Sequence, residues 1–284
     1  MRRTNRIHQS RFVYMTPTVF YAWQSDLPEK GNRYFLRESL ASTLKDLKIS
    51  EPLRPETAAT GVSGTPDIAA TIFDKISQSE ASLFDVSPIA RGGRAGKALP
   101  NPNVMIELGY AAHAIGWERI ILVMNKGYGH KPEELPFDLR SRRFPICYSH
   151  TGPDSPSHEI AEEIEGHLAR AVAACLSSLH KQVDRVFARM NHHCLGLVHN
   201  FHTQESFAFQ DGVLPPGLDR LLDLDVLWCH SVLEQKTYGY HWTHLGKRLC
   251  QAYAERQAEQ NNRLPTTRAT CVALPSAPSS RPNT

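Results

Sequence analysis

The run Arg119-Ile120-Ile121-Leu122-Val123-Met124 constrains this chain more than any other segment. It is apolar at almost every position, as expected of a strand covered on both faces, and such strands belong to parallel sheets clothed by helices. Other segments agree. Thr18 to Trp23 is rich in β-branched and aromatic residues and reads as a strand, as does Ala81 to Val86. A weaker strand lies near Ile49 to Leu53, crowded by Pro52 and Pro55, and Phe144 to Tyr148 reads as an edge strand interrupted by Pro145. Between them fall helical patterns over Asn32 to Leu47, from Thr65-Pro66-Asp67 (Thr65 as cap) through Ile76, and over Asn101 to Ile115 with Gly116 as its stop. A long amphipathic helix spans Ser157 to Leu179.

The alternation predicts an α/β fold, a flavodoxin-like parallel sheet of five strands in the order 2-1-3-4-5. In that order a ligand crevice opens beyond the carboxyl ends of the first and third strands, where the winding reverses. Trp23-Gln24-Ser25-Asp26 follows the first strand, and Asp85 and Ser87 close the third. The helix after the third strand opens nearby. Asn101 is a good N-cap and Pro102 suits the first helical position. Val104, Leu108, Ala111, Ala112 and Ile115 form its core stripe, and Asn103, Glu107 and Tyr110 fall on the neighbouring strip. A lone carboxylate beside a buried stripe is costly unless it is paired, solvated or used. Glu107 therefore reads either as a rim ion pair or as a functional group at the crevice.

The chain has 284 residues and a net charge of +3, enough for one medium domain and a smaller one, with no bulk charge that argues for nucleic acid. The six cysteines, scattered without a CxxC pair, read as reduced thiols, and no apolar run has the length of a membrane span. A soluble, cytoplasmic protein with no membrane partner is expected. Residues 1–16 read as a flexible leader, 17–179 as the α/β domain, 180–262 as a mostly helical accessory region and 263–284 as a disordered tail rich in Pro, Ser and Thr. In the accessory region Leu218 to Glu234 reads as helix, Tyr238 to Trp242 as a short strand, and Thr243 as the cap of a further helix, an order reminiscent of winged-helix modules. The histidines at 192, 193, 199 and 202 lack a zinc-finger spacing, so no metal is expected. Arg91 to Leu99 reads as a glycine-rich basic loop.

Phe20-Tyr21-Ala22-Trp23-Gln24-Ser25-Asp26, Ser82 to Ser87 and Asn101 to Tyr110, in this order, resemble the TIR-like (Toll/interleukin-1 receptor-like) nucleotide-binding domains of bacterial immune effectors. The resemblance covers residues 17 to 150, and its most specific part is Asn-Pro-Asn-Val-x-x-Glu-Leu-Gly-Tyr. It implies cleavage of NAD between nicotinamide and ribose in anti-phage defence. NAD would be a substrate rather than a cofactor, and Glu107 the catalytic residue. Trp23 or Tyr110 would stack on a base, Asp85 and Ser87 would bind ribose hydroxyls, and Asn101 and Asn103 would hold pyrophosphate. Gln24, Ser25 and Asp26 would complete the substrate site. The resemblance further implies a homo-oligomer in the active state; the C-terminal region, outside the resemblance, is expected to sense, bind or oligomerise, with an activator acting through it. Two other readings use the same residues: an enzyme acting on other N-glycosidic bonds, such as a nucleoside or nucleotide hydrolase or deoxyribosyltransferase, and a non-catalytic nucleotide-binding or scaffolding module.

Overall fold

The computed structural model describes residues 16–47, 53–57, 67–93, 96–142, 145–152, 157–210, 214–232 and 237–263. The expected leader up to residue 15, Thr65 and Pro66, Phe144 and the tail from residue 264 lie outside the described residues; the helix expected to be capped by Thr65 is capped by Asp67, whose Oδ1 accepts from the Ala70 N–H at 3.2 Å. In chain order the first elements are β1 (Thr18–Ala22), α1 (Arg33–Asp46), β2 (Arg54–Glu56), α2 (Ile68–Ser77), β3 (Ala81–Asp85), β4 (Pro88–Gly92) and β5 (Lys97–Pro100). Next come α3 (Pro102–Ala114), β6 (Ile120–Asn125), α4 (Phe137–Arg140), β7 (Ile146–Tyr148) and α5 (Ser157–Arg189). The chain continues with α6 (His192–Phe201), β8 (Ser206–Gln210), α7 (Leu218–Asp223), β9 (Leu227–Val232), β10 (Thr237–Trp242) and α8 (His244–Arg263).

The main sheet is five-stranded and all parallel, in the order β2-β1-β3-β6-β7. This is the expected flavodoxin-like winding. Side chains alternate across each strand, so successive residues serve opposite layers. Val19, Tyr21, Leu83, Ile121 and Val123 meet α1 and α5, where Leu36, Leu40, Leu168 and Val172 are buried. Phe20, Ala22, Phe84, Leu122 and Met124 meet α2 and α3, where Ile76, Val104 and Leu108 are buried. Each side chain of this size stabilises the fold by roughly 1.5–3 kcal/mol relative to its exposed state. The unbroken apolar run of β6 is thus explained by cover on both sides.

Several expected elements differ. The second strand forms at Arg54–Glu56, with Pro55 in register with Val19. Proline is tolerated there because β2 is an edge strand whose sheet neighbour among the described residues is β1. The expected loop over Arg91 to Leu99 contains instead the antiparallel β4–β5 hairpin, with residues 94 and 95 outside the described set. Ala98 is buried, Leu99 lies over Gly92, and Gly93 and Gly96 turn the chain with φ of +69° and +58°. The expected helix over Leu218 to Glu234 ends at Asp223. Asp225 takes a left-handed φ of 57°, which breaks the helix, and Leu227–Val232 pairs with β10.

Helix α5 runs ten residues past the expected end at Leu179, to Arg189. Its buried stripe is continuous: Ile164, Leu168, Val172 and Cys175 belong to the sheet core, and Val183 and Val186 to a second core. That core joins α6, α7 and α8 to a three-stranded antiparallel sheet, β8-β10-β9, around Val198, Phe207, Leu221, Tyr240 and Trp242. The two anticipated features are present: a strand at Thr237–Trp242, and Thr243 capping α8 by accepting from the Gly246 N–H at 3.1 Å. Among the described residues no helix is long and apolar enough to cross a membrane.

Candidate active site

The carboxyl ends of β1 and β3 and the start of α3 converge through hydrogen bonds. Gln24, the second residue past β1, is buried and faces both ways. Its Oε1 accepts from the backbone N–H of Asp26 at 2.6 Å and of Leu27 at 3.0 Å. Its Nε2 points to Asp85 Oδ2 at 3.5 Å. Gln24 therefore folds the chain after β1 into a tight turn and ties that turn to the end of β3. Asp26, on the turn, accepts from Asn101 Nδ2 at 2.6 Å. Asn101 is also the cap of α3, its Oδ1 accepting from the N–H of Asn103 at 2.8 Å and Val104 at 3.3 Å.

Asp85 and Ser87 have no accessible surface. The expected role of binding ribose hydroxyls does not fit this conformation, in which both are used internally. Asp85 Oδ1 accepts from the Ser87 N–H at 3.0 Å, and Ser87 Oγ accepts from the Asn125 N–H at 2.8 Å. Burial pushes the Asp85 carboxyl up to about 6, against the hydrogen bonds of Ser87 and Gln24. The buried Asn125 extends the network. Its Nδ2 donates to Gly31 O, Asn32 Oδ1 and His150 O at 3.2, 3.0 and 2.7 Å. The sequence carries a signal for this asparagine: a polar residue that ends an apolar strand must find partners when buried.

Glu107 lies on α3, six residues past Asn101 and so about 9 Å along the axis. It is half-buried, and burial alone pushes its carboxyl up to about 7. Among the described residues it has no hydrogen-bond or ion-pair partner, so the rim ion pair does not form there. Ser25, Asp26 and Asn103 are exposed. Trp23 is half-buried, with the Arg33 guanidinium 3.4 Å from its ring centroid, so one ring face is already covered. Tyr110 is stacked on Phe73 of α2 with centroids 4.4 Å apart, which directs it to the helix–helix packing rather than to a base.

The hairpin beside this site is anchored by Arg91, whose two terminal nitrogens each meet a Glu134 oxygen at 3.0 Å. This fork-to-fork pair ties β4 to the turn Pro132–Glu134 beyond β6. Two cavities, of about 460 and 660 Å3, lie elsewhere, where the C-terminal region meets the α/β domain, and neither is lined by Glu107. Among the described residues no group of three or more His, Cys, Asp or Glu is placed to hold a metal ion. No protein-family model matches the chain, and no curated protein matches it.

Proposed function

We propose that the chain is an N-glycosidase that cleaves NAD, as its resemblance to TIR-like effector domains implies. The observation that carries this reading is Glu107: a half-buried carboxylate, without a partner among the described residues, on the helix whose cap is tied to the turn after β1 of a flavodoxin-like sheet. The reaction breaks the bond between ribose C1′ and the nicotinamide nitrogen. The electron pair leaves with nicotinamide, which becomes neutral, and the positive charge passes to the ribose as an oxocarbenium-like centre. Water adds at C1′ and loses a proton, giving ADP-ribose. The leaving group is already cationic and needs no proton. The barrier is therefore set by the charge on the sugar, which one carboxylate in a site shielded from water can stabilise. Glu107 is that group in our reading. The exposed Asn103 side chain, beside the positive end of α3, is suited to pyrophosphate.

One observation favours a second reading. A carboxyl with a pKa of about 7 is partly protonated at neutral pH. That suits N-glycosides with a neutral base, whose departure is helped by a general acid. NAD and a panel of nucleosides and deoxynucleotides, each incubated with wild type and Glu107→Gln, separate the two. Nicotinamide release lost in Glu107→Gln is expected. Base release from the panel alone would select the second reading, and binding without turnover would indicate a scaffolding module. We further propose that a second copy of the chain closes the crevice in the active state and that the C-terminal region receives the activating signal.

A further inference from the structure

We propose that Asp26 and Asn101 are positioning residues, a clamp that holds the turn after β1 against the start of α3 and so sets the width of the crevice in which Glu107 acts. The inference rests on the NAD-cleaving reading for its chemistry and on geometry for its mechanism. The two residues are 75 apart in sequence, yet Asn101 Nδ2 meets Asp26 Oδ2 at 2.6 Å. Each is fixed from behind by other bonds. The Asp26 N–H is held by Gln24 Oε1 at 2.6 Å, and Gln24 is itself buried and directed at Asp85. Asn101 Oδ1 is engaged by the N–H groups of Asn103 and Val104. The bond between them thus joins the hydrogen-bonded turn after β1 directly to the capped start of α3, and what it controls is distance.

The clamp is charge-assisted but lies in solvent, so it adds little to global stability. Its effect falls on the site. Displacing reacting groups by about 1 Å costs on the order of 100-fold in rate. The expected role of Asp26 as a substrate ligand changes accordingly: its carboxylate is engaged by Asn101 and would repel pyrophosphate.

An exchange of the two side chains tests this in the full-length protein. Asn101→Asp keeps the cap, because aspartate caps as well as asparagine, but sets two carboxylates against each other. We expect nicotinamide release from NAD to fall about 10–100-fold in kcat, with KM within about threefold. The melting temperature should be nearly unchanged, and amide exchange at Asp26 and Leu27 should be faster. The double variant Asp26→Asn/Asn101→Asp restores the bond with donor and acceptor reversed, and both rate and exchange should recover. Asp26→Ala, which leaves the Asn101 cap intact, should reproduce the loss if Asn101→Asp fails to fold. Reversed polarity cannot rescue direct substrate contacts. Loss in the single variants that persists in the double, or single variants with unaltered rate and exchange, would overturn the clamp. A wild type that releases no nicotinamide would overturn the NAD reading, and amide exchange in the same variants would then decide the clamp alone.

Discussion

His244 Nε2 lies 3.2 Å from Glu80 Oε1, joining the first turn of α8 to the residue that precedes β3. Arg248 grips the same oxygen, and Arg119 reaches both Ser79 O at 3.3 Å and His244 Nδ1 at 3.4 Å. The C-terminal region is thus docked on the amino end of β3, whose carboxyl end carries Asp85 at the crevice. Burial works to raise the Glu80 carboxyl, and the hydrogen bonds and charges of His244 and Arg248 outweigh it and hold it below its ordinary value. Burial lowers His244 against the pull of Glu80, and Arg248 is the permanent charge bonded to the Glu80 carboxylate, with Arg119 nearby.

Removing Arg248 should therefore strand a buried carboxylate. Arg248→Met is expected to lose about 3 kcal/mol at pH 7 by urea denaturation, and Glu80→Gln/Arg248→Met to recover part of it. The folded pKa of Glu80 is depressed, so this contribution is present above the unfolded value and is lost as pH falls through the folded one. An Arg248→Met protein as stable as wild type would remove the hub from the stability of the fold.

Asp85 predicts the opposite dependence. Its folded pKa of about 6 stands above the ordinary 3.8, so the native state holds its proton more tightly than the unfolded chain. The associated stability is full below about pH 4 and is lost as pH rises through about 6. A shift of this size corresponds to about 3 kcal/mol. The difference in unfolding free energy between wild type and Asp85→Asn should fall by about that amount from pH 4 to pH 7. A difference that stays flat across this range would show that Asp85 is not strained by burial.

The pH–rate profile reads Glu107. If the ionised carboxylate stabilises the ribose cation, kcat/KM for NAD should rise with pH and level off above about 7. Glu107→Gln should lack this limb and fall by orders of magnitude in rate. A profile that declines above about 7 would instead identify the protonated form as the active one and favour substrates with neutral bases.

Gly246, in the first turn of α8, has no room for a side chain. A Cβ there would sit 2.0 Å from the Val226 carbonyl oxygen and 3.1 Å from the Trp242 ring. Backbone is the obstacle, so the clash cannot be relieved by a rotamer change. Gly246→Ala should destabilise by roughly 3 kcal/mol or more despite its better helix propensity, measured by thermal or urea unfolding. Wild-type stability would mean that α8 and the turn at Val226 separate easily.

Much of the α/β domain is legible because its signals are local. The apolar run of β6, the alternating faces of β1 and β3, and the Asn101-Pro102 start of α3 each follow from periodicity or capping within a few residues. Those same rules determine the sheet order, since alternating strands and helices admit few windings. The residues after Leu218 show where local patterns end. Leu218, Leu221 and Leu224 suit a helix, but the left-handed Asp225 and pairing with β10 turn the next stretch into strand. Only the tertiary structure decided what each carboxylate does. Asp26 meets Asn101, Glu80 meets a histidine 164 residues away, Asp85 is sealed between strand ends, and Glu107 is left without a partner among the described residues. The physical reason is that periodicity places a side chain on a face, whereas its charge state and role depend on which distant groups share that face and how much water remains there.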